Sequence, residues 1–294
     1  MVQELKARRQ RIQNQHPCFG AAKNKGRIHL PICPACNLEC AFCRRSLNND
    51  ENRPGVASFI LAPEKVSEYV ENALLKCGDL SVVGVAGPGD SLVSDNMFRA
   101  FRYISKSHPD ILKCISTNGL LLPERADALI DLEIDTLTVT VNAVDPEILS
   151  EIVPAIHYKG KRMVGLEASA TLIENQLAGI ERMAKAGTII KINTVLVPEL
   201  NDRHIPEIAK MVSGLGANIY NIIPLIPQHL LADRKEPTCE LIDKVRNEAG
   251  KYIDVFRHCQ HCRADAIGIP GISDYSSELR GKNQEQTEEV FSHG

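Results

Sequence analysis

Along the 294-residue chain, apolar residues gather in short β-rich runs separated by longer stretches with helical spacing. The runs occupy 27–32, 80–86, 111–116, 136–141, 188–197 and 218–223. Between them, apolar positions recur every three or four residues, as a helix with one buried face requires. Pro63 opens the clearest of these, 64–77, with Val66, Tyr69, Val70, Ala73 and Leu74 on one face. Further helices are predicted at 95–107, 123–132, 146–156, 171–186 and 205–215, the last two followed by the stop signals Gly187 and Gly216. Strands alternating with helices imply a parallel sheet with right-handed crossovers. The predicted fold class is therefore α/β, a partial (β/α)6 TIM-like barrel over 27–236. An N-terminal extension (1–26) precedes it. A C-terminal extension (237–294) follows, with a helix at 238–252 and a polar tail from Ser276 that is expected to be loose.

Barrels of this kind place their chemistry at the C-terminal ends of the strands. The segments that follow the predicted strands have suitable residues. Three cysteines follow the first strand, Gly87-Pro88-Gly89-Asp90 the second and Thr117-Asn118-Gly119 the third, while Asn142 ends the fourth.

Hydrophobic residues make up 44% of the chain and charged residues 24%, so a core forms without disulfides. A net charge of −3 offers no argument for a nucleic-acid or membrane partner. No run is long and apolar enough to span a bilayer, and the N-terminus lacks the apolar centre of a signal peptide. The expected compartment is the cytoplasm. Lys6, Arg8, Arg9, Arg11, Lys23, Lys25 and Arg27 make the first 27 residues basic, which reads as a solvated helix or arm; a docking surface for an acidic partner is the sharper alternative. Ten cysteines in a reducing compartment need a reason other than disulfides, and metal binding is the usual one.

Cys36, Cys40 and Cys43 place three thiols on one tight loop. A [4Fe–4S] cubane held by three thiolates keeps one iron open, to which S-adenosylmethionine (SAM) can bind through its amino and carboxylate groups. Zinc is the competing reading, since Cys33, Cys36, Cys40 and Cys43 contain two Cys-x-x-Cys pairs. Four-cysteine zinc sites put a loop of roughly 12 or more residues between such pairs, and here only three residues intervene. Cys33 is read as structural. Phe42 is suited to cover a cofactor.

The loop resembles that of the radical SAM superfamily. Its flanks, His16-Pro17-Cys18 and Glu51-Asn52-Arg53-Pro54-Gly55-Val56, resemble the NifB family, the maturases of the nitrogenase iron–molybdenum cofactor. The likeness continues through Ala86–Asp90, Cys114–Leu120, Asn221–Pro227 and Arg257–Ala266. The length matches the family's short form, without a C-terminal carrier domain.

The resemblance implies a radical SAM enzyme, lyase-like and methyl-transferring, that fuses two further [4Fe–4S] clusters into a carbide-containing precursor. SAM would be both the methyl source and the radical source. Implied partners are an iron–sulfur cluster donor, a reductant protein and a cofactor carrier or scaffold. His16, Cys18, Cys114, Cys259 and Cys262 are the candidate ligands for the two substrate clusters, with Glu51 as a carboxylate candidate. Gly87, Pro88, Gly89, Asp90, Thr117, Asn118, Asn142 and Asn193 are candidate SAM contacts; turn and strand-end chemistry explains the same residues equally well. Cys114 also reads as a buried strand cysteine, and Cys77 and Cys239 as packing. The chain ends are expected to fold back over the barrel mouth to bring their ligands to the chemistry. Two other functions fit the motifs: a radical SAM enzyme whose auxiliary clusters serve a peptide or metabolite substrate, and a non-catalytic iron–sulfur scaffold.

Overall fold

The computed structural model describes residues 2–19, 22, 24–279 and 289–291. An eight-stranded sheet forms its centre. Six parallel strands in it, numbered one to six below, are those the hydrophobic pattern predicts: Gly26–His29, Leu80–Val85, Leu112–Thr117, Thr136–Thr140, Ile189–Leu196 and Ile219–Pro224. Each pairs with its neighbour in chain order. The crossover helices are Val66–Lys76, Asn96–Ser107, Leu122–Asp131, Pro146–Ile152, Gly165–Lys185 and Ile205–Gly214. Among the described residues, no helix is long and apolar enough to cross a membrane.

Side chains alternate across a strand, and here the two faces differ sharply. Ile28, Val83, Ile115, Val139, Ile192 and Ile222 belong to the main core that packs under the helices. The other positions, among them His29, Cys114, Ser116, Thr138, Lys191 and Asn193, line an internal cavity. Register sets them side by side: Ser116 opposite Thr138, Thr138 opposite Lys191, Thr140 opposite Asn193. The barrel is thus polar inside and apolar outside, which suits a chamber rather than a filled core.

The barrel is open on one side, and the C-terminal extension crosses the seam. Asp254–Val255 adds to strand six in parallel, and Ile267–Gly268 adds to strand one in antiparallel. Residues 256–266 run between these two edges and carry Cys259 and Cys262.

Several elements depart from the predicted pattern. The helix predicted at 146–156 ends at Ile152, because the residue before a proline is pushed out of the helical region and Pro154 follows Val153. A hairpin then forms, Ala155–Tyr158 with Lys161–Val164. Its turn residues Lys159 and Gly160 have φ of 49° and 75°, the positive values that two-residue hairpin turns need. The next helix consequently starts at Gly165, not 171.

The basic extension contains the helix Val2–Gln15. Arg11 donates to the Asp110 carbonyl at 2.9 Å and pairs with Asp135 at 3.8 Å, tying that helix beneath strands three and four. Arg27 is no part of a solvated arm, since it is 6% exposed inside the barrel. Lys23 lies outside the described residues. The tail from Ser276 is not wholly loose: Ser276–Leu279 is helical, and Glu289–Phe291 pairs antiparallel with Arg45–Leu47. Residues 280–288 and 292–294 of that tail lie outside the described residues.

Candidate active site

The cysteine loop leaves strand one and runs directly against the glycine loop that follows strand two. The Gly89 N–H donates to the Cys33 carbonyl at 2.6 Å and the Asp90 N–H to the Ala35 carbonyl at 2.8 Å. A Cβ on residue 89 would lie 2.0 Å from the Ala35 oxygen, so only glycine permits this approach. Asp90 is buried and brackets the end of strand three. Its carboxylate accepts from Thr117 Oγ1 at 2.9 Å, the Asn118 N–H at 2.6 Å and the Leu92 N–H at 2.9 Å. Burial pushes the Asp90 carboxyl above its ordinary range, and these hydrogen bonds work against that shift.

Asn118 reaches back to the cysteine loop. Its Nδ2 donates to Asn37 Oδ1 at 2.7 Å and lies 3.7 Å from Cys36 Sγ. On the far side, Glu39 accepts from Arg162 at 2.7 Å and 2.6 Å and contacts His157 Nε2 at 2.8 Å. The hairpin missed in the sequence is therefore a brace for the loop, and Leu38–Glu39 pairs with its first strand.

A cavity of about 340 Å³ runs from this loop down into the barrel. Cys36, Cys40, Cys43, Pro88, Gly89, Asp90, Thr117, Asn118, Asn142 and Asn193 line it, and so do His16, Cys18, Cys114, Cys259 and Cys262. Two predicted residues stand apart. Glu51 is ion-paired with Arg53 and does not border the cavity. Gly87 backs onto Ala264, whose Cβ is 3.3 Å from where a side chain at 87 would begin.

His16 and Cys18 do not fold over the mouth. Cys18 packs against Ile12, Phe19, Val82, Leu112 and Ile189, near the first residues of the strands, and the His16 ring lies 4.6 Å from that of Phe19, so both enter the cavity from the opposite end. The N-terminal helix ends just before them and cannot cross the barrel to the mouth in one residue. His16 is 2% exposed, its Nδ1 accepts from the Cys18 N–H at 3.1 Å, and its Nε2 has no partner. Burial, with Lys191 and His29 nearby, holds its ring well below the usual histidine range and therefore neutral.

Burial likewise favours the neutral form of Cys18, Cys36, Cys40, Cys43 and Cys114. Burial pushes Cys36 up to about 12 and Cys18 up to about 11. Cys40 and Cys43 are raised for the same reason, with Arg45 pulling both down. The ten cysteines form no disulfide, and among the described residues no three His, Cys, Asp or Glu side chains converge on a single ion. Three thiols close enough to sense one another's charge, bordering one cavity without focusing on a point, fit a multi-iron cluster better than a zinc ion.

Polar residues that were not among the predicted site residues also line this space: Arg27, His29, Gln176, Lys191, His258 and His261. Gln176 Nε2 donates to the Asn118 and Thr140 carbonyls at 2.6 Å and 2.8 Å, fastening its helix to strands three and four. A signal was present for Lys191 in the polar residues at every second position of strand five, Lys191 and Asn193.

Comparisons with known proteins agree with this geometry. A model of the Radical SAM superfamily matches residues 30–212. The FeMo cofactor biosynthesis protein NifB of Methanocaldococcus jannaschii is 48% identical over 262 residues, which is 88% of this chain and 87% of that protein. Its counterpart in Methanocaldococcus infernus is 46% identical over 276 residues, 92% of this chain and 91% of that protein. The chain belongs to the NifB family. Some NifB relatives are longer; the one from Chlorobaculum tepidum is 37% identical over 91% of this chain but 64% of its own length.

Solved structures share the fold. A radical SAM methyltransferase from Sphaerobacter thermophilus superposes with a TM-score of 0.59 at 20% identity, covering 79% of this chain and 65% of that one. SuiB of Streptococcus suis bound to S-adenosylmethionine gives 0.57 at 13% identity, covering 89% of this chain and 62% of that one. As a NifB-family radical SAM enzyme, this chain has a [4Fe–4S] cluster and SAM as its resident cofactors.

Proposed function

We propose that this protein builds the iron–sulfur precursor of the nitrogenase iron–molybdenum cofactor by fusing two [4Fe–4S] substrate clusters around a carbide, with SAM as methyl and radical source. The relatives named FeMo cofactor biosynthesis protein supply the pathway. One observation carries the reading: the three thiols of the SAM loop and five further donors, His16, Cys18, Cys114, Cys259 and Cys262, border a single cavity.

Cys36, Cys40 and Cys43 are the residues that would hold the resident cluster, which would supply the electron for reductive cleavage of SAM. The polar ends of strands two to five, which line the same cavity, would orient SAM. Asp90 keeps strand three and the glycine loop in register, and Asn118 fixes the cysteine loop through Asn37. The five further donors hold the substrate clusters loosely. His16 illustrates how. With Nδ1 accepting from the Cys18 N–H, the ring proton is on Nε2. Binding iron through Nε2 moves that proton to Nδ1 and breaks the bond to Cys18, so this ligand is easily released. The two extensions, 1–26 and 237–294, supply ligands rather than catalytic structure. A cluster donor, a reductant protein and a carrier for the product complete the system.

Anaerobic reconstitution followed by iron analysis and EPR, before and after SAM, tests the reading. We expect about 12 iron atoms per chain, three cubanes of four, and conversion of two cubane signals into a new species on adding SAM. A plateau near four iron with no spectral conversion rejects it.

A further inference from the structure

The lower half of the cavity contains two buried cations that the proposed chemistry has not used. Lys191 is 7% exposed and Arg27 is 6% exposed. Among the described residues, neither makes an ion pair. The carboxylates in their neighbourhood are taken: Asp265 by Arg263, and Asp135 by Arg11 and the Lys113 N–H. Lys191 Nζ lies 4.6 Å from the Phe19 ring centre and 5.5 Å from that of Phe256, and donates weakly to the Cys18 carbonyl at 3.4 Å. Arg27 donates to the Gly268 carbonyl at 2.6 Å and to Cys262 Sγ at 3.1 Å, and its Nε has no partner. Two uncompensated cations in one buried chamber are costly, and such a cost is met when an anion arrives.

We propose that Arg27 and Lys191 form a cationic seat for a thiolate-held iron–sulfur cluster in the lower barrel, an inference that rests on the reading of two substrate clusters given above. Cys18 lies in the field of both cations, Cys114 in that of Lys191, and Cys262 accepts from Arg27. As thiolates on an iron–sulfur cluster they carry net negative charge, which offsets the two cations while the cluster is in place. The seat therefore recognises an assembled anionic cluster rather than free ferrous ions. The Arg27 N–H on Cys262 has a second consequence. It draws electron density from that sulfur, which raises the cluster's reduction potential and weakens the ligand, as suits a cluster that is to be consumed. Both are positioning residues; neither is assigned a bond to reacting atoms.

Lys191→Met tests the seat, because methionine keeps the unbranched stem between Phe19 and Phe256 and removes only the charge. Lys191→Arg is the conservative partner. Each is reconstituted anaerobically, exposed briefly to EDTA, and examined by iron analysis, EPR-monitored redox titration and, before reconstitution, thermal melting. The methionine variant should lose about a third of its iron where wild type keeps it, with the SAM-loop cluster signal intact. Any residual substrate cluster should titrate at lower potential, and the arginine variant should behave as wild type. Metal-free Lys191→Met should melt no lower than metal-free wild type, since a buried uncompensated charge has gone.

Full iron retention with unchanged potentials in the methionine variant would overturn the seat, as would a large drop in its metal-free melting temperature, which would make the lysine structural. Inorganic sulfide titrated into the metal-free proteins is a further arm. Tight binding that the methionine variant loses, with no change in iron retention, would assign the seat to a small anion and overturn the cluster proposal. A wild-type plateau near four iron rejects the function reading and this inference together. A wild-type value near 12 with an unaffected variant rejects this inference alone.

Discussion

Arg263 and Asp265 form a buried ion pair, Nε to Oδ1 at 2.9 Å, that locks the Cys-x-x-Cys segment to the loop after the SAM cysteines. Arg263 also donates to the Asn48 carbonyl at 2.7 Å and to Ser58 Oγ at 2.9 Å, while Asp265 accepts the Ser58 N–H at 2.6 Å. The segment that carries Cys259 and Cys262 is thereby fixed to the same loop system that carries Cys36–Cys43, although more than 200 residues separate Arg263 from Asn48 and Ser58.

Asp265→Asn should cost about 3–5 kcal/mol of stability, because it leaves a buried guanidinium without its counter-charge. Burial alone would raise the Asp265 carboxyl, but the hydrogen bonds and charge of Arg263, with Ser58, outweigh it and hold the group below the ordinary range. A depressed carboxyl contributes stability that is complete above its unfolded value, about 3.9, and that disappears as pH falls through the lower folded value. Urea denaturation of the metal-free proteins should therefore show a constant gap between wild type and variant down to about pH 4, narrowing only in stronger acid. A gap that closes between pH 7 and pH 5 would show that another group controls it.

Gly89→Ala should destroy the junction between the cysteine and glycine loops. The new methyl would stand 2.0 Å from the Ala35 carbonyl oxygen, in a position formed by backbone on both sides. We expect loss of SAM binding by equilibrium dialysis and poor retention of the resident cluster. Near wild-type SAM affinity in a folded variant would show that the two loops need not touch.

Replacing Cys36, Cys40 or Cys43 by Ala should abolish reductive cleavage of SAM to 5′-deoxyadenosine. Cys33→Ala should leave it in place, because Cys33 is 1% exposed within the apolar core and does not border the cavity. The assay is chromatographic detection of 5′-deoxyadenosine under dithionite. An active Cys36→Ala beside an inactive Cys33→Ala would mean that the ligand register is wrong.

The double variant Cys259→Ala, Cys262→Ala should hold about four iron fewer than wild type, still cleave SAM, and yield no product able to activate cofactor-free nitrogenase. These two residues lie on the seam-crossing segment and not on the SAM loop, so the resident cluster keeps all three of its own thiols. Unchanged iron content and full nitrogenase activation would remove both from the ligand set.

Much of this was legible in the chain itself. The six strands appear within a few residues of where apolar runs predict them, since a strand buried under helices needs such runs whatever its partners are. The Cys36–Cys40–Cys43 spacing, the glycine loop and Asn118 lie at the mouth for the same local reason: each directly follows a strand. The hairpin 155–164 was missed because its two strands are short and one is nearly all exposed, so no apolar alternation marks it. Arg27 was misread because a charged residue beside other charged residues looks solvated until the strand's face is known.

By itself the sequence determined the βα alternation, the three-thiol loop and the need for glycine beside it, because helix and strand periodicity and ligand spacing are properties of neighbouring residues. It did not determine from which end His16 and Cys18 reach the cavity, nor that Lys191 would lie against Cys18, 173 positions away. Those relationships follow from how the barrel curls, which alternate strand positions turn inward and where the C-terminal segment closes the seam. Such contacts are set by packing of the whole chain, and only the tertiary structure decides them.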